Sequence, residues 1–332
     1  GMWGQLGHGS AQDCALPKQV DGPLAGKGVL LVAAGAHHTL CRAASGEVFA
    51  FGQNAGQLGI GKPKEAVVST PRLVKALWPY SITGLACGGA HSAAVTSTGS
   101  VFHWGLDHGR IFGKAGGVVD EPHPIPLPTA KDVGKDVGKV IQVACGQEHT
   151  AFVTSSGLLF AFGSRASGHS GPGERPINNV QAPLHLPFVQ VACGDHHTVA
   201  LLSNGATIAW GDGTFGQLGR GKRHCSRVPL TSPTAIPLAT QIYQSAQIVH
   251  PPRQVFAGGN ITFTVSLPAP VHNIKQGLSL DDIRTMVDAA VRTGSHSALK
   301  TAVCNAFSSP ATLCSSFEPS SGSALPVDMD AV

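Results

Sequence analysis

Ala-Cys-Gly-Asp-His-His-Thr, at residues 192–198, decides the fold of this chain, because three closely related copies of it occur earlier. The other copies are Ala-Ala-Gly-Ala-His-His-Thr (33–39), Ala-Cys-Gly-Gly-Ala-His-Ser (86–92) and Ala-Cys-Gly-Gln-Glu-His-Thr (144–150). Copies of one sequence at intervals near fifty residues are typical of proteins built from stacked supersecondary units. The motif therefore predicts a repeat architecture.

Glycines at fixed distances extend each copy into a constant core. In every unit the first glycine is followed by a second eleven residues later and by a third six residues further on. These glycines are Gly35, Gly46 and Gly52; Gly88, Gly99 and Gly105; Gly146, Gly157 and Gly163; and Gly194, Gly205 and Gly211. The first glycines are 53, 58 and 48 residues apart, so every length change falls after a third glycine. Such changes are typical of surface loops between packed cores.

Each core has the pattern of a β-hairpin, with a turn at the second glycine, where positive φ is needed. The returning strands end in Phe49-Ala50-Phe51-Gly52, Phe102-His103-Trp104-Gly105, Phe160-Ala161-Phe162-Gly163 and Ile208-Ala209-Trp210-Gly211. Large residues at alternate positions share one face of a strand, which predicts a buried sheet face. Gly-Gln-Leu-Gly, at 4–7, 56–59 and 216–219, predicts tight turns.

These features favour an all-β propeller, whose sheets cover one another's faces. Trp-Asp repeats are shorter, and kelch repeats need a glycine doublet that only one of the four cores has, at Gly88-Gly89. Cys-Gly-x-x-His-Thr, the Trp-Gly or Phe-Gly strand end and Gly-Gln-Leu-Gly resemble the regulator-of-chromosome-condensation repeat. The resemblance covers residues 1–267 and implies a β-propeller domain there.

Propellers of this kind typically have about seven blades, whereas the sequence holds four full cores and a weak fifth at Ala257-Gly258-Gly259-Asn260. In the fifth unit, Pro268 and Pro270 stand where the hairpin partner is expected. We therefore expect an incomplete ring. The first residue, Gly1, is not methionine, and we expect a truncated product.

A helical appendage is expected after the propeller, over residues 278–307. Apolar residues recur there at helical spacing between Leu280 and Val291, and Ser279 with Asp282 has the pattern of a capping box. The tail at 318–332, rich in Ser, Pro and Asp, is expected to be disordered.

Two further segments resemble the HERC family of HECT-type ubiquitin ligases. Residues 306–317 are similar to the segment that follows the propeller in that family, and Val255–Asn260 is similar to the last repeat of its smaller members. The resemblance implies a propeller that captures substrates or localises a ligase. It also implies that the catalytic HECT domain is absent from this chain, which ends well before one.

Composition excludes several classes of protein. Charged residues make up 13% of the chain and hydrophobic residues 42%, and the 42 glycines keep no three-residue period, which excludes collagen and a highly charged disordered chain. A net charge of +4 predicts no general polyanion binder. No apolar run is long enough to cross a bilayer. The eight cysteines, without a signal peptide, are expected to be reduced thiols in the cytoplasm, with the nucleus as an alternative.

The Cys-x3-His pattern of three units suggests a metal site, but its repetition argues against one. Four ligands must converge on one zinc ion, whereas equivalent residues of different blades are spread around a ring. We expect no metal and no cofactor, with the cysteines in the core and the histidines bonded to backbone groups at the hairpins. The structural repeat positions are Gly35, His38, Gly88, His91, Gly146, His149, Gly194 and His197.

No catalytic residue is predicted. Cys304 and Cys314 are weak candidates for a nucleophile, because neither has an obvious partner to lower its pKa. A Ser-His-Asp site would require a spaced constellation, which is not seen.

The segment 220–227 carries the one notable charge cluster, with Arg220, Lys222, Arg223 and Arg227 in a variable loop. It is either a solvated loop or a binding site for an acidic protein or RNA. The first functional hypothesis is a protein-interaction propeller of a HERC-like ligase, whose partner is a ligase substrate. The alternatives are guanine-nucleotide exchange on a Ran-like small GTPase, which the founding repeat protein implies, and a chromatin-binding or RNA-binding propeller.

Overall fold

The structure is a computed structural model that describes residues 1–62, 65–107, 117–164, 177–180, 186–219, 230–235 and 254–265. Within these ranges, all in the compact unit Gly1–Ile274, the chain forms four antiparallel four-stranded sheets and one two-stranded hairpin. Helix there is limited to α1 (Ala130–Val133) and two 3-10 turns, Gly22–Leu24 and Lys75–Leu77. None of the helices in the described part is long and apolar enough to cross a bilayer. The segments 278–307 and 318–332 lie outside the described residues.

Each sheet is one blade, and its strands are adjacent in the order of the sequence. Blade 1 contains β1 (Val29–Ala34), β2 (His38–Ala43), β3 (Val48–Gln53) and β4 (Val67–Leu73). Blade 2 contains β5 (Ile82–Cys87), β6 (His91–Thr96), β7 (Val101–Asp107) and β8 (Gly117–Pro124). Blade 3 contains β9 (Val140–Cys145), β10 (His149–Thr154), β11 (Leu159–Gly163) and β12 (Asn178–Val180). Blade 4 contains β13 (Phe188–Cys193), β14 (His197–Leu202), β15 (Thr207–Gly211) and β16 (Leu230–Ala235).

The constant glycine spacing comes from one hairpin register that all four blades share. In each blade the repeat histidine, at the start of the second strand, pairs with the third glycine of the third strand: His38 with Gly52, His91 with Gly105, His149 with Gly163 and His197 with Gly211. The second glycines occupy the turns between these strands with φ of 94°, 89°, 73° and 84°. A side chain is strained at such φ values, so the turns require glycine. The predicted hairpins and the all-β propeller fold are confirmed.

The hydrophobic core lies between blades rather than within one. One cluster joins Leu40 and Ala50 of blade 1 to Trp104 of blade 2, and the clusters between later blades repeat this arrangement. Every residue of β6, β10 and β14 is buried, because the second strand of these blades is covered on both faces. Blade stacking, rather than alternation of polar and apolar residues, therefore decides burial in the central strands.

A fifth unit begins with β17 (Gln254–Gly258) and β18 (Ile261–Val265), which pair as a hairpin with Phe256 opposite Phe263. Val255 is fully buried against Val199 and Leu201 of blade 4. This hairpin corresponds to the first two strands of a blade. The segment with Pro268 and Pro270, where its third strand is expected, lies outside the described residues.

Candidate functional site

The repeat histidines join consecutive blades. Each Nε2 atom lies within hydrogen-bond distance of a hydroxyl in the next unit: His38 to Ser92 (2.8 Å), His91 to Thr150 (2.9 Å), His149 to Thr198 (2.9 Å) and His197 to Thr262 (2.8 Å). The sequence predicts that these histidines bond to backbone groups at the hairpins; at Nε2 the structure places a side-chain hydroxyl of the next unit, which projects into the same interface.

The direction of two of these hydrogen bonds, those of His38 and His197, follows from the hydroxyl groups. The hydroxyls of Ser92 and Thr262 donate to the backbone oxygens of Gln57 and Gln217, each 2.8 Å away. The hydroxyl proton is thus used, so the hydroxyl oxygen accepts and the histidine Nε2–H donates. Both glutamines belong to Gly-Gln-Leu-Gly turns. One hydroxyl therefore ties the histidine of the preceding blade to the loop that follows it.

The environment of His38 keeps its ring neutral. Burial, with a smaller contribution from the neighbouring His37, lowers the pKa of His38 from 6.5 to about 4. Desolvation acts in this direction because it disfavours the charged form of a buried imidazole. At neutral pH the ring therefore serves as a neutral hydrogen-bond donor.

The first glycine of each unit allows this close approach. A β-carbon at Gly35 would lie 2.6 Å from Cε1 of His38 and 2.5 Å from the backbone oxygen of Gly88 in the next blade. The same overlap occurs at Gly88, Gly146 and Gly194, each with its own histidine and the glycine of the following unit. Backbone hydrogen bonds also join consecutive blades at this place; for example, Gln147 N donates to Asp195 O at 3.0 Å.

Two cysteines of the motif contact the preceding blade. The thiol of Cys87 donates to the backbone oxygen of Ala33 at 3.3 Å, and that of Cys193 lies 3.7 Å from Ala144 O. Burial raises the pKa of Cys145 to about 12 and also raises that of Cys87 and Cys193. A thiolate is the reactive form, so these buried thiols are unreactive at neutral pH.

Free thiols occur at all five cysteines of the described ranges: Cys14, Cys41, Cys87, Cys145 and Cys193. Those ranges contain no group of three or more His, Cys, Asp or Glu residues placed to hold a metal ion. Cys304 and Cys314 lie outside them.

Two glutamines also join consecutive units by hydrogen bonds. Neither is among the residues predicted from the sequence. Gln190 makes a pair of hydrogen bonds with the backbone of Val255, at 3.0 and 2.9 Å, and Gln142 Oε1 accepts from Val191 N at 3.0 Å. Both lie four residues before the first glycine of their units. This shared position within the repeat is the sequence signal from which their role could have been predicted. Blades 1 and 2 have Leu31 and Gly84 at the same position.

The variable loops leave all four blades from the same edge. The third strand runs antiparallel to the second, so its end lies beside the repeat histidine in every blade. We call this side the histidine edge; the second-glycine turns form the opposite edge. The basic segment begins at Arg220, directly after the turn 216–219 on the histidine edge. Arg220, Lys222, Arg223 and Arg227 themselves lie outside the described residues.

The turn before the basic segment is tightly hydrogen-bonded. Asp212 accepts from the backbone and hydroxyl of Thr214 at 2.9 and 2.5 Å, and from Gln217 Nε2 at 3.2 Å. The glutamine in turn accepts from Phe215 N at 2.8 Å, while Leu218 is buried in the core. Gly216 and Gly219 have φ of 83° and 64°, as the predicted tight turn requires.

Known protein families and relatives match these features. The model of the regulator of chromosome condensation (RCC1) repeat matches residues 1–42, 45–95, 98–153 and 204–265, and a second model of this repeat matches 140–168 and 188–217. The probable E3 ubiquitin-protein ligase HERC3 of Homo sapiens is 36% identical over 146 residues, which are 43% of this chain and 13% of HERC3. The ultraviolet-B receptor UVR8 of Arabidopsis thaliana is 36% identical over 174 residues, 52% of this chain and 38% of UVR8. The chain thus spans much less than two thirds of these relatives.

Solved structures match the fold. Human WBSCR16 superposes with a TM-score of 0.62 at 23% identity, covering 80% of this chain and 65% of that one. Yeast RCC1 (Prp20), in a structure with Kap60 bound, gives a TM-score of 0.58 at 23% identity, covering 80% and 57%. Together with the repeat matches over most of its length, this identifies the chain as a member of the family built from regulator of chromosome condensation (RCC1) repeats.

Proposed function

We propose that this chain is the protein-recognition propeller of a HERC-like E3 ligase, and that it binds its partner through the loops of the histidine edge. Similarity to human HERC3 and to the probable ligase HERC6, 32% identical over 181 residues, supports the ligase family. The resemblance of residues 306–317 to the segment after a HERC propeller supports it further. The propeller would recognise the substrate, while catalysis would belong to a HECT domain outside these residues.

One observation carries the choice of binding surface. The hydrogen-bonded turn 212–219 ends the third strand of blade 4 and leads directly into four Lys and Arg residues. A cationic segment beside a fixed turn is suited to an acidic protein surface, because opposite charges attract across an interface.

We further propose three segments and a cellular compartment for this chain. Residues 1–267 would form the propeller, 278–307 a helical segment and 318–332 a disordered tail. We place the protein in the cytoplasm, with the nucleus as the alternative, because reduced thiols are typical of both compartments. No cofactor is required for recognition.

Changing Lys222, Arg223 and Arg227 together to alanine is expected to weaken an acidic partner about tenfold. The reason is loss of charge attraction, so the difference should shrink as salt is raised. Peptides selected from a random display library on the whole chain serve as the probe, and their Kd is measured by fluorescence anisotropy. Acidic sequences should dominate the selection.

A charge-matched control is available at the opposite edge. Lys131, Lys135 and Lys139 are exposed, and Lys139 lies beside the second-glycine turn of blade 3, where its backbone oxygen accepts from Ser155 N. Their triple alanine variant removes the same charge and should leave Kd unchanged. Equal weakening in both variants would contradict a specific basic site.

The two alternative functions are separated by direct assays. Acceleration of labelled GDP release from a Ran-type GTPase would favour nucleotide exchange. Selection of RNA in preference to peptides would favour a nucleic-acid propeller. Either result would contradict the recognition proposal.

No thioester is expected when the chain is mixed with ubiquitin, an activating enzyme and a conjugating enzyme. Thioester formation requires a thiolate, and burial raises the pKa of Cys41 to about 11 and that of Cys145 to about 12. Non-reducing gels, with an isolated HECT domain as the positive control, provide the measurement. A DTT-sensitive adduct that disappears on changing Cys304 or Cys314 to serine would show that the chain is catalytic.

A further inference from the structure

Three equivalent turns on the histidine edge present different side chains at one position. In each, the residue before Gly-Gln-Leu-Gly donates its backbone N–H to the glutamine Oε1: Trp3 to Gln5 (3.0 Å), Ala55 to Gln57 (2.6 Å) and Phe215 to Gln217 (2.8 Å). The backbone arrangement is therefore the same, and the side chain is the variable part.

The three side chains differ in what covers them. Trp3 packs against the ring of His37 with centroids 5.5 Å apart. Ala55 has only a methyl group to expose. Phe215 is 69% exposed; among the large hydrophobic residues of the described ranges, only Leu16, at 77%, is more exposed. The ring of Phe215 thus contributes little to the core of the propeller.

The backbone that carries Phe215 is held on both sides. Asp212 fixes the residues before it through Thr214, and the buried side chains of Gln217 and Leu218 fix those after it. The backbone oxygen of Gln217 also accepts from Thr262 of the fifth unit at 2.8 Å. A ring on so constrained a turn loses little conformational entropy when it is buried by a partner.

We propose that Phe215 is the apolar anchor of the partner interface, inserting into a hydrophobic pocket whose rim is acidic. Aromatic and arginine side chains are enriched in such interfaces, and the strongest contacts are central apolar groups surrounded by polar ones. Phe215 supplies the apolar group, and the sequence places Arg220 and Lys222 within seven residues of it. This inference rests on the proposed function, since it assigns the chemistry of the same surface: an acidic protein segment with an exposed apolar side chain.

Phe215→Ala tests the anchor with little risk to the fold, because the equivalent turn at 55–59 already has an alanine, Ala55, at this position. Peptides selected on the whole wild-type chain are expected to combine acidic and apolar residues. Their Kd should rise at least about tenfold in Phe215→Ala, at low and at high salt alike. Phe215→Trp should largely restore binding, and the melting temperature should stay unchanged in both variants.

The outcomes separate this inference from the proposed function. If the basic triple variant weakens binding and Phe215→Ala does not, the anchor is wrong and the binding surface stands. If neither variant changes Kd, or if no acidic and apolar peptide is selected, both are wrong. Co-sedimentation with vesicles of phosphatidylcholine and phosphatidylserine that depends on Phe215 would overturn the anchor in favour of a membrane contact.

Discussion

Replacing Gly146 with alanine is expected to lower the free energy of unfolding by about 3 kcal/mol or more. The new β-carbon would overlap the ring of His149 and lie 2.5 Å from the backbone oxygen of Gly194. The ring cannot move without losing its contact with Thr198, 2.9 Å away. For a domain of this size the melting temperature should fall by about 6–12 °C, measured by circular dichroism.

Gly84→Ala is the matched control. Gly84 also lies in a strand, but a β-carbon there would be 3.8 Å from Cβ of Val95, an ordinary contact. Other blades carry Leu31, Gln142 and Gln190 at this position, so a side chain is accommodated. The control should be neutral or slightly stabilising. Equal stability of Gly146→Ala and Gly84→Ala would show that the junction does not require glycine.

Acidification from about pH 6.5 to about pH 4 is expected to destabilise the fold by about 3 kcal/mol through His38 alone. The folded-state pKa of His38, about 4, lies below its value of 6.5 in the unfolded chain. In this window the unfolded chain binds the proton and the folded chain does not. The full stabilisation is therefore present above about pH 6.5 and decreases as the pH falls through this window.

His38→Gln should remove this part of the pH dependence. Urea unfolding at about pH 7 and about pH 4.5 measures it, since the wild type should lose more stability between them than the variant. His123→Gln, which changes an exposed histidine, should behave as the wild type. If His38→Gln retains the wild-type slope, protonation of His38 does not govern acid stability.

The repeat fold could be predicted from sequence because its signal is periodic. The hairpin registers follow directly from the spacing of Gly35, Gly46 and Gly52 and their equivalents. A single register reproduced four times leaves little freedom for another fold.

The contacts between blades were harder to predict. The hydroxyl partner of His38 is Ser92, 54 residues away, and only the arrangement of two complete blades brings them together. The roles of Gln142 and Gln190 depend on the same arrangement. Local patterns specify strands and turns, whereas partners across an interface require the packed structure.

The partner surface is the least predictable part. Charge alone points to the basic segment at 220–227, which stays a prediction because the segment lies outside the described residues. A phenylalanine beside a glycine-rich turn, such as Phe215, gives no distinctive signal in the sequence. Its exposure, in contrast to the packed Trp3, becomes apparent only in three dimensions.

The four junctions between described units have the same polarity, with the histidine on the earlier unit and the hydroxyl that contacts it on the later one. During synthesis on a ribosome, the amino-terminal blade emerges first. Each new blade then packs against a blade that has already been translated and folded, because the histidine that contacts its hydroxyl lies earlier in the chain. Assembly can therefore advance in one direction with translation. A blade deleted from the middle would still leave a histidine facing a hydroxyl, so the array should tolerate loss or duplication of whole repeats far better than loss of half of one.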